Sequence, residues 1–253
     1  DMPSEHGTIE AIFPYPVKSM RGESLSHATM GWHGVDGDRR FALRRVDIRG
    51  GFPWLAAGRF PDLLHYTPLR LSGDDEPPTH VRTPDGETFA LLSEDLAKDA
   101  ERRCGEAVQM MHLNHGMFDE AAISVIAAST VDEVCRLGGK HGDVRRFRPN
   151  IVVRTKAGLP FEEDAWVGGR LTFGGEGDAP AVGVTMRDVR CAMITFDPGR
   201  QTRSPELMKA VVRANDNTAG VYGAVLRAGR IAVGQTVALH VEATATRIPE
   251  GVA

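Results

Sequence analysis

The run V-T-M-R-D-V-R-C-A-M-I-T-F-D-P, from Val184 to Pro198, sets the thiol of Cys191 directly after the guanidinium of Arg190. A fixed positive charge beside a thiol favours the thiolate, the form that attacks electrophiles and ligates metals. Val184, Met186 and Val189 are interleaved with polar residues, the period of a strand with one buried face. Neighbours on a regular strand face opposite ways, so Arg190 reaches Cys191 only where the chain twists or bulges. Taken alone, a cysteine in this setting reads first as a small buried hydrophobe.

Four groups of cations fall in or beside expected loops. Lys18-Ser19 follows the first strand, and Asp38-Arg39-Arg40 enters a later one. Arg145, Arg146 and Arg148 precede Pro149-Asn150, and Arg190 flanks Cys191. Loops at the strand ends of a barrel converge on one mouth, where basic groups can surround an anion. Lysine beside serine offers a point charge and a hydroxyl donor; arginine adds a bidentate fork. Arg145 and Arg146 read as surface charge, whereas Arg148, locked before a proline, reads as a placed side chain.

The elements that must position these groups are mostly strands. Up to about residue 115 the chain reads as many short strands with Gly/Pro turns, the mark of a sandwich or barrel. Strand-like pieces fall at 7–15, 24–29, 68–72, 79–83 and 108–113. The second half mixes strands at 123–127, 151–154, 170–173, 184–189, 222–226 and 235–241 with two helices. One helix runs over 130–137 with Ser129 as its N-cap; the other starts at Ser204-Pro205-Glu206. The 253 residues, 42% hydrophobic and 25% charged, suit one large domain or two modest ones. A net charge of −4 argues against a dedicated nucleic-acid binder. Three dispersed cysteines, Cys104, Cys135 and Cys191, fit a reducing compartment, and no C-x-x-C pair exists to build a ferredoxin-type cluster. Without a run of about 18 apolar residues or a signal peptide, the expectation is a soluble, cytoplasmic protein.

Several motifs, in order, resemble the MOSC family, named for the C-terminal domain of molybdenum-cofactor sulfurases. Y-P-V-K-S at Tyr15 to Ser19 and G-D-R-R-F at Gly37 to Phe41 are similar to its N-terminal β-barrel motifs. R-F-R-P-N at Arg146 to Asn150, P-F-E-E-D-A-W at Pro160 to Trp166, R-C-A-M-I-T-F-D-P at Arg190 to Pro198 and G-R-I-A-V-G-Q-T-V at Gly229 to Val237 resemble the MOSC domain itself. The relatives implied are the mitochondrial amidoxime-reducing component and its bacterial counterparts, which hold a molybdenum pterin cofactor and reduce N-hydroxylated compounds. By that resemblance Cys191 is the molybdenum ligand and catalytic centre. Lys18, Ser19, Arg39, Arg148, Asn150, Arg190 and Thr195 match positions that hold the pterin and its phosphate. Pro160 to Trp166 is assigned to structure, with Glu162, Glu163 and Asp164 solvated. The chain departs from the family pattern at Gly199-Arg200-Gln201, at Val189 and at Phe118 to Ala121.

The resemblance implies an α+β, β-rich fold, an N-terminal β-barrel-like subdomain (1–113) packed on a MOSC β-barrel domain (114–253). The function it implies is molybdenum-dependent reduction of N-hydroxylated or related N- or S-oxygenated small molecules. His33 is the histidine to watch as proton donor, against its reading as an ordinary loop histidine. Electrons are expected from a separate flavin or ferredoxin-type protein. Neither a nucleic-acid nor a membrane partner is expected. Two rivals remain at this stage: a carrier of the cofactor or of sulfane sulfur, and a non-molybdenum barrel using Cys191 for thiol or C–S bond chemistry.

Overall fold

The computed structural model describes residues 4–73, 75–114, 121–175 and 177–241. Its first half runs β1 (Ser4–Ile12), β2 (His27–Gly31), β3 (Gly34–Val35), β4 (Phe41–Arg45), β5 (Thr67–Leu69), β6 (His80–Arg82), β7 (Thr88–Ala90), α1 (Glu94–Cys104) and β8 (Val108–His112). The second half continues with β9 (Ile123–Ala127), α2 (Ala128–Leu137), β10 (Ile151–Thr155), β11 (Arg170–Phe173) and β12 (Ala181–Val189). Then follow α3 (Pro205–Asn215), β13 (Thr218–Arg227), β14 (Gly229–Ala232) and β15 (Thr236–His240).

Seven strands close into a barrel in the order β1-β10-β9-β13-β12-β11-β15, with β15 returning to β1. The first strand of the chain is thus a stave of a barrel otherwise built by the second half. Only β9 and β10 pair in parallel within it, because α2 supplies the crossover that a parallel pair requires. All five residues of β9 are buried. Its inward side chains join Ile9, Ile151, Trp166, Phe173 and Val221 in the barrel core. Outside, Ile126 and Val152 pack against Val134 of α2 and Leu207 of α3 in a second apolar layer.

The rest of the first half forms two small sheets, β4-β8 and β5-β6-β7, around a third core with Leu43, Leu63, Tyr66 and Leu96 at its centre. A third small sheet, β14-β2-β3, ties this half to the end of the chain. The strand-only reading of this half needs one correction, since Glu94–Cys104 is a helix. Ser93 caps it by accepting from the Leu96 amide, and Gly105, in the left-handed region at φ 76, ends it.

Ser129 does not cap α2; its hydroxyl donates to the Leu159 carbonyl instead. The N-cap is Ala127, without a side-chain cap, and Glu163 braces this end, its carboxylate accepting from the Ala127 amide at 3.3 Å and the Thr130 hydroxyl at 2.8 Å. Glu163 is fully buried, which corrects its reading as solvated. Burial pushes its carboxyl up to about 7, opposed by those hydrogen bonds. No described helix is long and apolar enough to cross a membrane.

Candidate functional site

Residues from both halves of the chain line a cavity of about 560 Å³, within the range of roughly 300–1,000 Å³ usual for small-molecule sites. Cys191 lies on its wall, exposed, as the residue preceding a 3-10 turn at Ala192–Thr195. That overturns the reading of Cys191 as a buried hydrophobe. Strand β12 delivers it through a register shift against β13 between Arg187 and Val189. The bulge turns Asp188 inward while Val189 and Cys191 stay exposed.

Arg190 is 9% exposed and faces away from a free role. Its Nη1 pairs with the buried Asp188, its Nη2 donates to the Phe147 carbonyl at 2.6 Å, and its guanidinium lies over the Phe147 ring. Its amide and carbonyl are both held by Asn217, at 2.9 and 3.0 Å. Arg190 therefore fixes the backbone that presents Cys191 rather than lending the thiol an uncommitted charge.

The loop after β1 brings Lys18 and Ser19 to the same cavity, and Arg39 and Arg148 line it too. Tyr15 organises this side. Its amide donates to Asp38 at 2.7 Å, its hydroxyl donates to the Pro149 carbonyl at 2.8 Å, and both Arg39 and Arg148 lie over its ring. Burial raises the Tyr15 hydroxyl well above its usual range despite both arginines, so it remains a neutral donor. Gly22 is required behind it, because a Cβ there would come within 2.5 Å of the ring. Asp38, fully buried, also takes Arg39 Nη1 at 2.7 Å.

Among the described residues, six non-glycine residues have positive φ, and four of them sit here: Ser19 (65°), Arg39 (49°), Arg148 (52°) and Asn217 (63°). Such backbone costs on the order of 1–3 kcal/mol per residue and persists where the surroundings over-determine it.

Asn150 and Thr195 lie off the cavity wall. The Asn150 side chain accepts from the Ser124 amide and donates to the Phe13 carbonyl, pinning β9 to the loop after β1. The Thr195 hydroxyl donates to the Ala192 carbonyl inside its own turn. Arg146, read from the sequence as surface charge, is 5% exposed and lines the cavity. It donates to the Phe196 carbonyl at 2.8 Å and pairs with Asp197 at 3.0 Å. Arg145 is exposed and paired with Asp143. His33 is exposed in the β2–β3 turn and does not line the cavity. Residues 118–120 lie outside the described residues.

Arg203, over the Phe196 ring, and Phe52, 5.5 Å from Lys18 Nζ, complete the mouth. Neither carries a local sequence signal, since a lone arginine before a helix and a phenylalanine in a Gly/Pro-rich loop are both commonplace. Six cationic side chains line the cavity against one carboxylate, Asp188. Even counting Asp38 and Asp197 behind them, the site is positive. No group of three or more His, Cys, Asp or Glu among the described residues could hold a metal unaided. One exposed thiol in a cationic cavity fits a metal that arrives on an anionic organic scaffold bringing most of its own ligands.

The sequence profile of the MOSC N-terminal beta barrel domain matches residues 6–125, and that of the MOSC domain matches residues 111–238. No curated protein matches the chain significantly. Among solved structures, the YuaD protein from Bacillus subtilis is similar in fold at 14% identity and a TM-score of 0.52, over 96% of this chain and 100% of its own. YiiM from Geobacillus stearothermophilus aligns at 22% identity and a TM-score of 0.38, over 49% of this chain and 57% of its own.

Proposed function

The chain belongs to the MOSC domain family, and from that premise we propose a molybdenum-cofactor oxidoreductase that reduces N-hydroxylated or related N- or S-oxygenated small molecules. The observation that carries the reading is the single exposed thiol, Cys191, on a cavity wall with six cationic side chains and one carboxylate. When bound, the molybdenum–pterin group supplies a redox centre able to take oxygen from a substrate.

The chain's own residues divide the remaining work. The Cys191 thiolate is the one protein ligand to the metal. Lys18, Ser19, Arg39 and Arg148 bind the phosphate and pterin, with Lys18 as a point charge and the arginines as forks. Arg190, Asn150 and Thr195 are positioning residues, holding the Cys191 backbone, the β9 edge and the turn after Cys191 through the bonds described above. Phe52 and Val189, exposed at the rim, narrow the opening through which a small substrate enters.

The test is metal content and turnover together. Protein from a host that makes the cofactor should carry molybdenum stoichiometrically and reduce a hydroxylamine when given a strong artificial donor. Three dispersed cysteines and no dinucleotide fingerprint leave NADH alone unable to drive it. Metal-free protein from a host shown to load a control enzyme would overturn the reading. Loaded protein that fails to turn over with any donor would point to a carrier instead.

A further inference from the structure

A second pocket, of about 350 Å³, shares no residue with the Cys191 cavity. Arg21, Arg82 and Arg200 line it with His65 and Thr83, and no carboxylate does so among the described residues. These groups come from the loop after β1, the end of β6 and the turn after Pro198, so tertiary structure alone assembles them.

Two buried donors here lack acceptors. Thr83 is 3% exposed and its hydroxyl has no hydrogen-bond partner. Arg21 donates through Nη2 to the Pro198 carbonyl at 2.7 Å, yet its Nε is buried and unpartnered. Such groups are uncommon in folded proteins and call for an acceptor. Arg21 is also held below the usual guanidinium range, first by burial and then by repulsion from Arg145 and Arg82. His65 is lowered by burial and by Arg21, with Asp62 and Asp197 acting against both. An anion in the pocket would relieve that repulsion and fill both vacant hydrogen bonds.

We infer that this pocket binds the phosphate group of a small molecule, held by the forks of Arg21, Arg82 and Arg200 and by the Thr83 hydroxyl. A phosphate is preferred over a carboxylate because three arginines and a hydroxyl match its three acceptor oxygens and double charge. The volume sits at the low end for small-molecule sites and leaves room for a modest organic group beside the phosphate. No residue that the molybdenum reading uses takes part, so the inference stands without it.

The test is calorimetric titration of the full chain with inorganic phosphate and with glycerol 3-phosphate near physiological ionic strength. Arg82 and Arg200 are exposed, so Arg82→Ala and Arg200→Ala should fold normally. Saturable binding is expected, weakened about 10-fold or more by each of these variants and less by Thr83→Val. Arg187→Ala, at a residue that lines neither cavity, should leave it unchanged. Tighter binding of the ester would identify a phosphorylated metabolite as the occupant, and equal binding the free ion. Absence of saturable binding overturns the site. So does binding lost in Lys18→Ala but kept in Arg82→Ala and Arg200→Ala, or losses no larger than that of Arg187→Ala, an exposed arginine on β12.

Discussion

Inside the barrel, Ile9, Val125, Ile151, Phe173 and Val221 are each at most 1% exposed, and none of them has positive φ. At the Cys191 mouth, Ser19, Arg39, Arg148 and Asn217 hold positive φ, and the buried charges are paired locally: Asp38 with Arg39 and the Tyr15 amide, Asp188 with Arg190, and Arg146 with Asp197 and the Phe196 carbonyl. The core gains from removing apolar area from water, a non-directional effect that tolerates conservative swaps. The mouth depends on directional pairing in low dielectric, where losing one partner strands the other. The surplus of the first region sustains the strain of the second. Fold and function should therefore fail separately.

The sharpest way to separate them is Cys191→Ser. An exposed residue at a turn contributes little to packing, so the unfolding midpoint should hardly move. Turnover by loaded protein should fall more than about 100-fold, beyond the 10–100-fold typical of altering a mere supporting partner. A serine variant with near wild-type turnover would break the comparison at its centre.

Trp166→Ala is the converse. The side chain is 1% exposed in the barrel core, with His6 set edge-on to it. Truncation should cost about 3–5 kcal/mol in urea unfolding. Whatever fraction stays folded should retain the molybdenum content of the wild type. Proportional loss of stability and of loading per folded chain would show the two regions to be one cooperative unit.

Glu163, buried against the start of α2 and away from the mouth, tests the fold alone through pH. Its folded carboxyl titrates near 7, above the 4.5 of an unfolded chain. Below pH 4.5 both states are protonated and the group is neutral to stability. As pH rises from there through 7, the unfolded state ionises first and stability falls, by about 3 kcal/mol in all. Glu163→Gln should flatten that slope between pH 5 and 8 in denaturant titrations. A wild type whose stability rises across this window would contradict the buried carboxyl as its source.

The smallest expected effect is at the cations. Lys18→Ala and Arg148→Ala should each lower cofactor occupancy by the equivalent of roughly 1.5–3 kcal/mol, the worth of one charge-assisted contact. Unfolding midpoints should stay close to wild type for Lys18→Ala. Arg148→Ala also loses the stacking on Tyr15 and should show the larger change in stability. Equal occupancy in both variants and wild type would mean the mouth's charge is only surface.

The alternation at 184–189, the β-branched run Ile151-Val152-Val153 and the Ser204-Pro205 start are local signals, so those elements were legible in the sequence. So was α1, whose Ser93 cap, acidic first turn, basic last turn and Gly105 stop are all written locally; a strand-only reading passed over them. Motif order marked Cys191, Lys18, Ser19, Arg39, Arg148 and Arg190, all of which line one cavity. The chain could not state that Arg146 and Glu163 are buried, because their partners, Asp197 and the amide end of α2, stand 51 and 36 residues away. Nor could it assign Arg203, Phe52 or the Arg21–Arg82–Arg200 pocket. Local sequence determines backbone periodicity and caps, which depend on neighbours within a few residues. Burial of charge and convergence of loops depend on which distant segments the closed barrel brings together, and only the tertiary structure decided those.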